Sequence, residues 1–140
     1  MKKPSLVAEG TITRLLQSAE KAFTDCKYAE CLETLERARR MAPANFNVHY
    51  ELGHFHVRRW SYERAVESFD RAVQLAPNKT GMMERIGVLC RGTSAFELSV
   101  KYLEQAAGQK DASPDGLSAL ATVYERLRRM EEGHAVSDRK

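Results

Sequence analysis

Apolar side chains recur along this chain at steps of three and four residues. One block contains Leu52 and Phe55, and the next contains Ala65, Val66, Phe69, Ala72 and Val73. Steps of this size place side chains on one face of an α-helix, whereas a strand would need strict alternation. No alternating segment with a hairpin turn competes with this pattern. The sequence therefore predicts a succession of amphipathic helices.

The helical blocks repeat with a period of 34 residues. Small residues, large apolar residues, aromatic residues and prolines each align in this register. The aligned sets are Ala19, Gly53, Gly87 and Ala121; Leu35, Phe69 and Leu103; Ala38, Ala72 and Ala106; Tyr28, Tyr62 and Phe96; and Pro43 and Pro77. We expect an N-terminal extension over residues 1–11 and one repeat domain over 12–140, with copies that begin near Ile12, Phe46, Thr80 and Pro114.

The prolines and the small residues indicate that each copy is a pair of antiparallel helices. Pro43 and Pro77 disfavour helical geometry at the preceding residue, so second helices should end at Ala42 and Ala76. A small side chain such as Gly53, with Ala65 as its counterpart, lets two helices approach closely. One hairpin cannot bury its apolar face alone, so neighbouring copies must stack. The expected fold class is all-α.

The fourth copy is shorter than the others. Ser113 before Pro114 predicts its N-cap, and Ser94 with Glu97 predicts a capping box in the third copy. Met130 and Gly133 fall where a second helix would lie, but the sequence stops at Lys140. We therefore expect uncovered apolar surface that drives self-association through the C-terminal end, or an N-terminal piece of a longer protein. The expected packing side of the first helix is Leu117, Leu120, Ala121, Tyr124 and Leu127.

The repeating residues resemble the tetratricopeptide repeat (TPR). That family's pattern has a Leu-Gly pair, an Ala, an aromatic residue with an Ala, and a closing Pro. The matching residues are Leu52, Gly53, Ala65, Phe69, Ala72 and Pro77, and the resemblance covers residues 12 to about 136. It implies a right-handed superhelix of antiparallel helix pairs. The departures are His49 for Trp or Leu, His56 and Cys90 for Tyr, Ser18 for Leu, and Asp111 for Pro.

The TPR resemblance also implies a concave groove lined by the first helix of each copy. Tyr50, His54 and Arg58 follow one another at steps of four and form one stripe. Arginines beside that stripe would suit an acidic or C-terminal peptide. The family's clamp for chaperone tails needs Lys and Asn where Leu16 and Glu20 stand, so that ligand is not expected. The predicted groove residues are Asn47, Tyr50, His54, Arg58, Glu84, Arg85 and Arg91.

Composition and charge exclude several partner classes. The chain has 140 residues, with 22 Lys and Arg against 19 Asp and Glu, for a net charge of +3. Nucleic acid is not expected because positive charge is not concentrated, and the clusters at 37–40 and 126–129 are interleaved with glutamates. No run of eighteen apolar residues or export signal occurs, so no membrane is expected. Three cysteines make no disulfide framework, which favours the reducing cytoplasm.

Candidate chemistry is sparse. His49 and His56 occupy core positions and His54 points elsewhere, with no pair of histidines four residues apart, so no metal site is expected. Cys26 and Cys31 are interpreted as buried structural thiols. No nucleophile with a base, no paired carboxylates and no phosphate-binding glycine loop are recognised, so neither catalysis nor a cofactor is expected.

The predicted function is a protein-interaction scaffold that binds a peptide or protein in the concave groove. One alternative follows from the resemblance: TPR arrays also precede catalytic domains, so this chain could be the substrate-recruiting arm of a sulfotransferase or glycosyltransferase. A weaker alternative is an RNA-binding helical repeat, which reads bases with paired polar side chains in each copy. No such pair recurs here with the 34-residue period.

Overall fold

The computed structural model describes residues 6–138, with side chains over 9–133, and this range contains seven helices and no strands. The first helix begins within the predicted N-terminal extension. The helices are α1 (Leu6–Thr24), α2 (Tyr28–Met41), α3 (Phe46–Arg58), α4 (Tyr62–Leu75), α5 (Lys79–Gly92), α6 (Phe96–Ala107) and α7 (Pro114–Asp138). None of them is long and apolar enough to cross a bilayer. The chain divides into two compact units, an N-terminal unit that ends at Leu75 and a C-terminal unit that begins at Ala76.

The N-terminal unit contains the hairpins α1–α2 and α3–α4. The close approach predicted at Gly53 is confirmed, because a Cβ atom there would overlap the ring of Phe69. Phe69 is fully buried, as is Ala65 beside it on α4. In the first hairpin, Ala19 and Leu35 occupy the equivalent positions of the core. The small-to-large pairing that the sequence repeats therefore builds both hairpins.

The C-terminal unit contains the hairpin α5–α6 and the helix α7. A Cβ atom at Gly87 would overlap the side chain of Leu103, one period after the Gly53 contact. The buried Ser99 hydroxyl donates a hydrogen bond of 2.6 Å to the Gly87 carbonyl, which satisfies both groups inside the helix pair. Asp111, which replaces the closing proline, accepts a hydrogen bond of 2.6 Å from the Thr80 hydroxyl. This side-chain hydrogen bond joins the loop between α6 and α7 to the start of α5.

The predicted helix boundaries hold at the prolines and at Ser113. The helix α2 ends at Met41 with Ala42 as its C-cap, and α4 ends at Leu75, directly before Ala76. The Ser113 hydroxyl accepts a hydrogen bond of 3.0 Å from the Gly116 N–H, which confirms its capping role. Proline geometry and N-cap chemistry are local effects, so they are readable from the sequence.

The capping box predicted at Ser94 and Glu97 is wrong. Ser94 has a φ of 64°, and the N-cap of α6 is Ala95, which makes no side-chain capping bond. The Ala95 N–H donates to the Cys90 carbonyl at 2.8 Å, so Ser94 is the left-handed residue that ends α5. Cys26 and Trp60, at 34-residue steps, have φ values of 61° in the equivalent turns.

The second helix predicted for the fourth copy is also absent from the described residues, because α7 continues through Met130 and Gly133. Its middle has helix-favouring residues and a network of ion pairs. Arg128 contacts Glu125 and Glu132 at 2.7 Å each, and Arg129 contacts Glu125 at 3.1 Å. Nothing in this stretch breaks the helix as the left-handed turns do elsewhere.

The buried face of α7 differs from the predicted one. Ala119 and Val123 are buried, and Leu120 and Leu127 pack against the same core. Leu117, Ala121 and Tyr124, which were expected on that face, are exposed. In the complete copies a second helix covers the equivalent small residue, whereas no second helix within the described range covers Ala121.

Candidate functional site

Arg58 is bound within the N-terminal unit. Its Nη1 and Nη2 atoms donate to the two carboxylate oxygens of Glu20 at 3.0 Å each, and its guanidinium lies 3.5 Å from the centroid of the Phe23 ring. Its side chain is 16% exposed. A bidentate pair stacked on an aromatic ring is a strong arrangement for arginine. The donors that the sequence assigned to a peptide carboxylate are therefore used by Glu20.

The other members of the stripe on α3 lie in different surroundings. Tyr50 is 7% exposed, and its ring centroid lies 6.2 Å from that of Phe69, so the ring belongs to the interior. His54 is half-buried, with Nδ1 at 3.7 Å from the Glu51 carboxylate. Asn47 lies in the first turn of α3, where its N–H donates to the Asn45 side chain at 2.9 Å.

Three groups on α1 and α3 form a grouping that the sequence analysis missed. One oxygen each of Glu20 and Glu51 and one nitrogen of His54 lie within 4.8 Å of one another. The spacing of three residues between Glu51 and His54 indicates that these two lie together on α3. Glu20 lies on α1, and no local spacing connects it to them. Because Glu20 already binds Arg58, the guanidinium charge opposes a cation here. The contact that joins α1 to α3 here is the ion pair between Glu20 and Arg58.

In the C-terminal unit, the Glu84 side chain is hydrogen-bonded to the residue that precedes α7. Its carboxylate accepts hydrogen bonds from the Ser113 N–H, at 3.3 Å, and from the Ser113 hydroxyl. A Cβ atom at Gly116 would overlap the same carboxylate. A negative charge at the start of α7 also complements the helix dipole. Arg85 lies on the exposed surface of α5.

Arg91, one of the predicted groove residues, lines a basic cavity. It lies half-buried in a cavity of about 500 Å³. Neither Arg91 nor Arg126 forms an ion pair with any described residue, and the Arg126 guanidinium lies 5.7 Å from the Phe96 ring centroid. We call this cavity the arginine pocket; its principal lining residues are Arg91, Ser94, Phe96, Thr122, Arg126 and Arg129.

The arginine pocket has a surplus of positive charge. Glu125 also lines it, but hydrogen bonds from Arg128, at 2.7 Å, and from Arg129, at 3.1 Å, already bind its carboxylate. These two arginines hold the pKa of Glu125 below its usual value. Glu125 therefore stays charged and paired, and the charges of Arg91 and Arg126 remain for an anion. The sequence shows glutamates interleaved with this basic cluster: Arg128 pairs with Glu125 and Glu132, whereas Arg126 is exposed and forms no such pair with a described residue.

Two of the three cysteines, Cys31 and Cys90, are buried thiols. Burial raises the pKa of Cys31 to about 11 and that of Cys90 to about 12, so both thiols stay protonated at neutral pH. Cys26 was expected to be buried, and this is wrong: it is exposed in the turn between α1 and α2. Its left-handed backbone, which the sequence pattern did not reveal, places it there.

Comparison with solved structures identifies the fold. The second TPR domain of human RPAP3, in complex with an HSP70 peptide, aligns with a TM-score of 0.59 at 14% identity, over 84% of this chain and 98% of that one. The first TPR of Spaghetti, bound to an HSP90 peptide, gives 0.59 at 18%, over 84% and 93%. The Sgt2 TPR domain of Aspergillus fumigatus gives 0.61 at 17%, over 94% and 85%.

The chain has the TPR fold, which confirms the all-α helical repeat predicted from the 34-residue period. No protein-family model matches the sequence. No curated protein sequence matches it either.

Proposed function

We propose that this chain is a protein-interaction scaffold whose C-terminal unit binds an acidic peptide segment in the arginine pocket. The observation that carries the proposal is that Arg91 and Arg126 have no carboxylate partner among the described residues of the fold. Guanidinium groups bind carboxylates through paired hydrogen bonds, and the Phe96 ring offers an apolar surface beside them. The chain itself performs no catalysis in this account.

The ligands of similar folds support an acidic peptide. The human RPAP3 domain holds the HSP70 peptide SGPTIEEVD, and the Spaghetti domain holds the HSP90 peptide SRMEEVD. Both peptides carry several carboxylates. Leu16 and Glu20 stand where the family's chaperone-tail clamp needs Lys and Asn, so SRMEEVD serves here as an acidic probe, and we expect the arginine pocket to supply its affinity.

The proposed site contains fewer residues than the groove predicted from the sequence. Arg91 stays at its centre, and Arg85 is retained as an exposed positive charge on the same helix. Arg58 and Glu84 already have partners, and Tyr50 is buried, so these three contribute to stability instead. The odd number of cysteines leads us to place the scaffold in the reducing cytoplasm.

Fluorescence anisotropy with labelled SRMEEVD and its neutral counterpart SRMQQVN tests the proposal. We expect the acidic peptide to bind about tenfold more tightly or better, because charged hydrogen bonds strengthen its binding. An Arg91→Gln plus Arg126→Gln variant should lose that preference. The matched control, Arg37→Gln plus Arg40→Gln, removes the same charge from exposed positions on α2 and should keep it. Equal peptide preference in both variants would reject the arginine pocket.

Self-association through α7 is a second proposal, favoured by one observation. Leu117 and Tyr124 are 48% and 46% exposed and share a face of α7 with the exposed Ala121. An apolar stripe of this kind favours contact with a second copy. Light scattering over a concentration series should show dimers, and Leu117→Lys should shift the protein to monomers. A chain that is monomeric at every concentration would contradict it.

A further inference from the structure

Three helices of the N-terminal unit enclose a trough on a different set of residues from the proposed peptide site. Its floor is formed by α3, through His49, Leu52 and His56, and its walls are formed by α2 and α4. The cavity measures about 480 Å³. This volume is in the range of cavities that hold small organic molecules. We call it the histidine trough.

The two histidines on this floor differ in their hydrogen bonds. The His49 Nε2 atom lies 2.7 Å from the Pro43 carbonyl oxygen, so its ring is satisfied within the fold. The His56 ring is also 8% exposed, yet it forms no side-chain hydrogen bond with any described residue. The ring packs edge-on against Phe55, with 5.3 Å between the centroids, and its nitrogen atoms stay accessible from the trough. A ligand in the trough can therefore accept a hydrogen bond from His56 in place of water.

Charged groups face His56 from both walls. On α2, Glu36 binds Arg39 through a contact of 2.7 Å, so this pair is internally balanced. On α4, Arg64, Glu67 and Arg71 line the trough. Burial and then the charge of Arg64 lower the pKa of His56, while Glu36 and Glu67 oppose that shift. At neutral pH the ring is therefore uncharged and keeps one N–H to donate.

The fixed charges of the trough sum to one surplus positive charge. Three arginines and two glutamates line it, and Glu36 is neutralised by Arg39. Arg71 donates to the Gln74 side chain at 3.1 Å, whereas Arg64 has no hydrogen bond or ion pair with any described residue. A single negative charge would balance this set. Leu52 on the floor and Leu32 on the α2 wall suit an apolar group.

We propose that the histidine trough binds a small monocarboxylate, whose carboxylate contacts Arg64 and His56 and whose apolar part contacts Leu32 and Leu52. Arg64 supplies the charge and His56 the second donor. The Ser68 hydroxyl, on the same wall, is a further donor to the carboxylate. The site gives this chain a small-molecule ligand in addition to its peptide partner.

Proton NMR of the histidine rings, with butyrate as the probe, tests the proposal in the full chain. Bound carboxylate stabilises the protonated imidazole, so butyrate should raise the pKa of His56 in a saturable manner. Substituting His56→Gln assigns the signal. Butylammonium, measured in parallel, should move the signal far less, because it carries the same alkyl chain on a cation.

Two arginine variants separate the trough from general charge effects. Arg64→Gln should weaken butyrate binding about tenfold, the loss expected for one charged hydrogen bond. Arg37→Gln removes an exposed charge from α2 outside the trough and should leave binding unchanged. The proposal is overturned if butyrate leaves the His56 signal in place, if butylammonium moves it equally, or if Arg64→Gln binds butyrate as the unsubstituted chain does.

Discussion

Arg58 and Arg126 occupy the same position of the repeat, two periods apart, but their surroundings differ. Arg58, in the N-terminal unit, is clamped by Glu20 and stacked on Phe23. Arg126, in the C-terminal unit, is exposed, and its guanidinium lies 5.7 Å from the centroid of the Phe96 ring. The positions that match Glu20 and Phe23 are Val88 and Arg91.

This comparison shows how two substitutions convert a structural arginine into an available one. Replacing the carboxylate by Val88 removes the internal partner, and replacing the aromatic ring by Arg91 adds a second positive charge. The helical framework does not change, because both arginines lie on a first helix of the repeat. The same helical framework therefore holds an arginine paired with a carboxylate in one unit and an arginine without such a pair among the described residues in the other.

The largest effect is expected from reversing the charge of each arginine. Arg58→Glu places a carboxylate opposite Glu20 in a partly buried site, and it should lower the free energy of unfolding by about 3 kcal/mol. Arg126→Glu lies on the surface and should change it by less than about 0.5 kcal/mol. Urea unfolding measures both. Equal destabilisation by the two changes would contradict the comparison.

A smaller effect is expected from copying Val88 into the N-terminal unit. Glu20→Val leaves Arg58 without its partner and should lower the free energy of unfolding by about 2 kcal/mol. Adding Arg58→Leu removes the unpaired charge, so the double variant should lose less than the two single losses combined. Urea unfolding of the full cycle checks this, and strictly additive losses would show that Glu20 and Arg58 are not coupled.

The smallest effect is expected at the left-handed turns, which are alike in both units. Glycine adopts a positive φ without the steric penalty of a side chain. Cys26→Gly and Ser94→Gly should therefore each raise the free energy of unfolding by about 0.5 kcal/mol. This is the gain from removing the steric penalty, less the cost of glycine's greater freedom in the unfolded chain. Thermal unfolding measures both, and destabilisation by either change would argue against the turn geometry.

The sequence predicted the features that depend on local or repeated residues. The 34-residue period, the helix ends at Ala42 and Ala76, and the close approach at Gly53 all follow from proline geometry and from a missing side chain. Ser94 was misread because the same residue type can start one helix or end the preceding one, and only the backbone bonds decide.

The candidate site was harder to predict because its charges depend on partners far along the chain. Glu20 and Arg58 are 38 residues apart, and no local spacing indicates that they pair. The glutamates next to Arg126 in the sequence suggested that its charge is balanced locally. In the structure, Glu125 binds Arg128 and Arg129 and not Arg126. Aligning the charges by repeat position, as was done for the apolar residues, would have shown the exchange of Glu20 for Val88.

The most direct test of this account is the affinity of the Val88→Glu variant for the SRMEEVD peptide, measured by fluorescence anisotropy beside the uncharged control Val88→Gln. Val88 is 41% exposed, so both side chains fit at its position. We expect Val88→Glu to supply Arg126 with the carboxylate that Arg58 has, and to weaken peptide binding by about tenfold, while Val88→Gln binds as before. Equal affinity in the two variants would contradict the account.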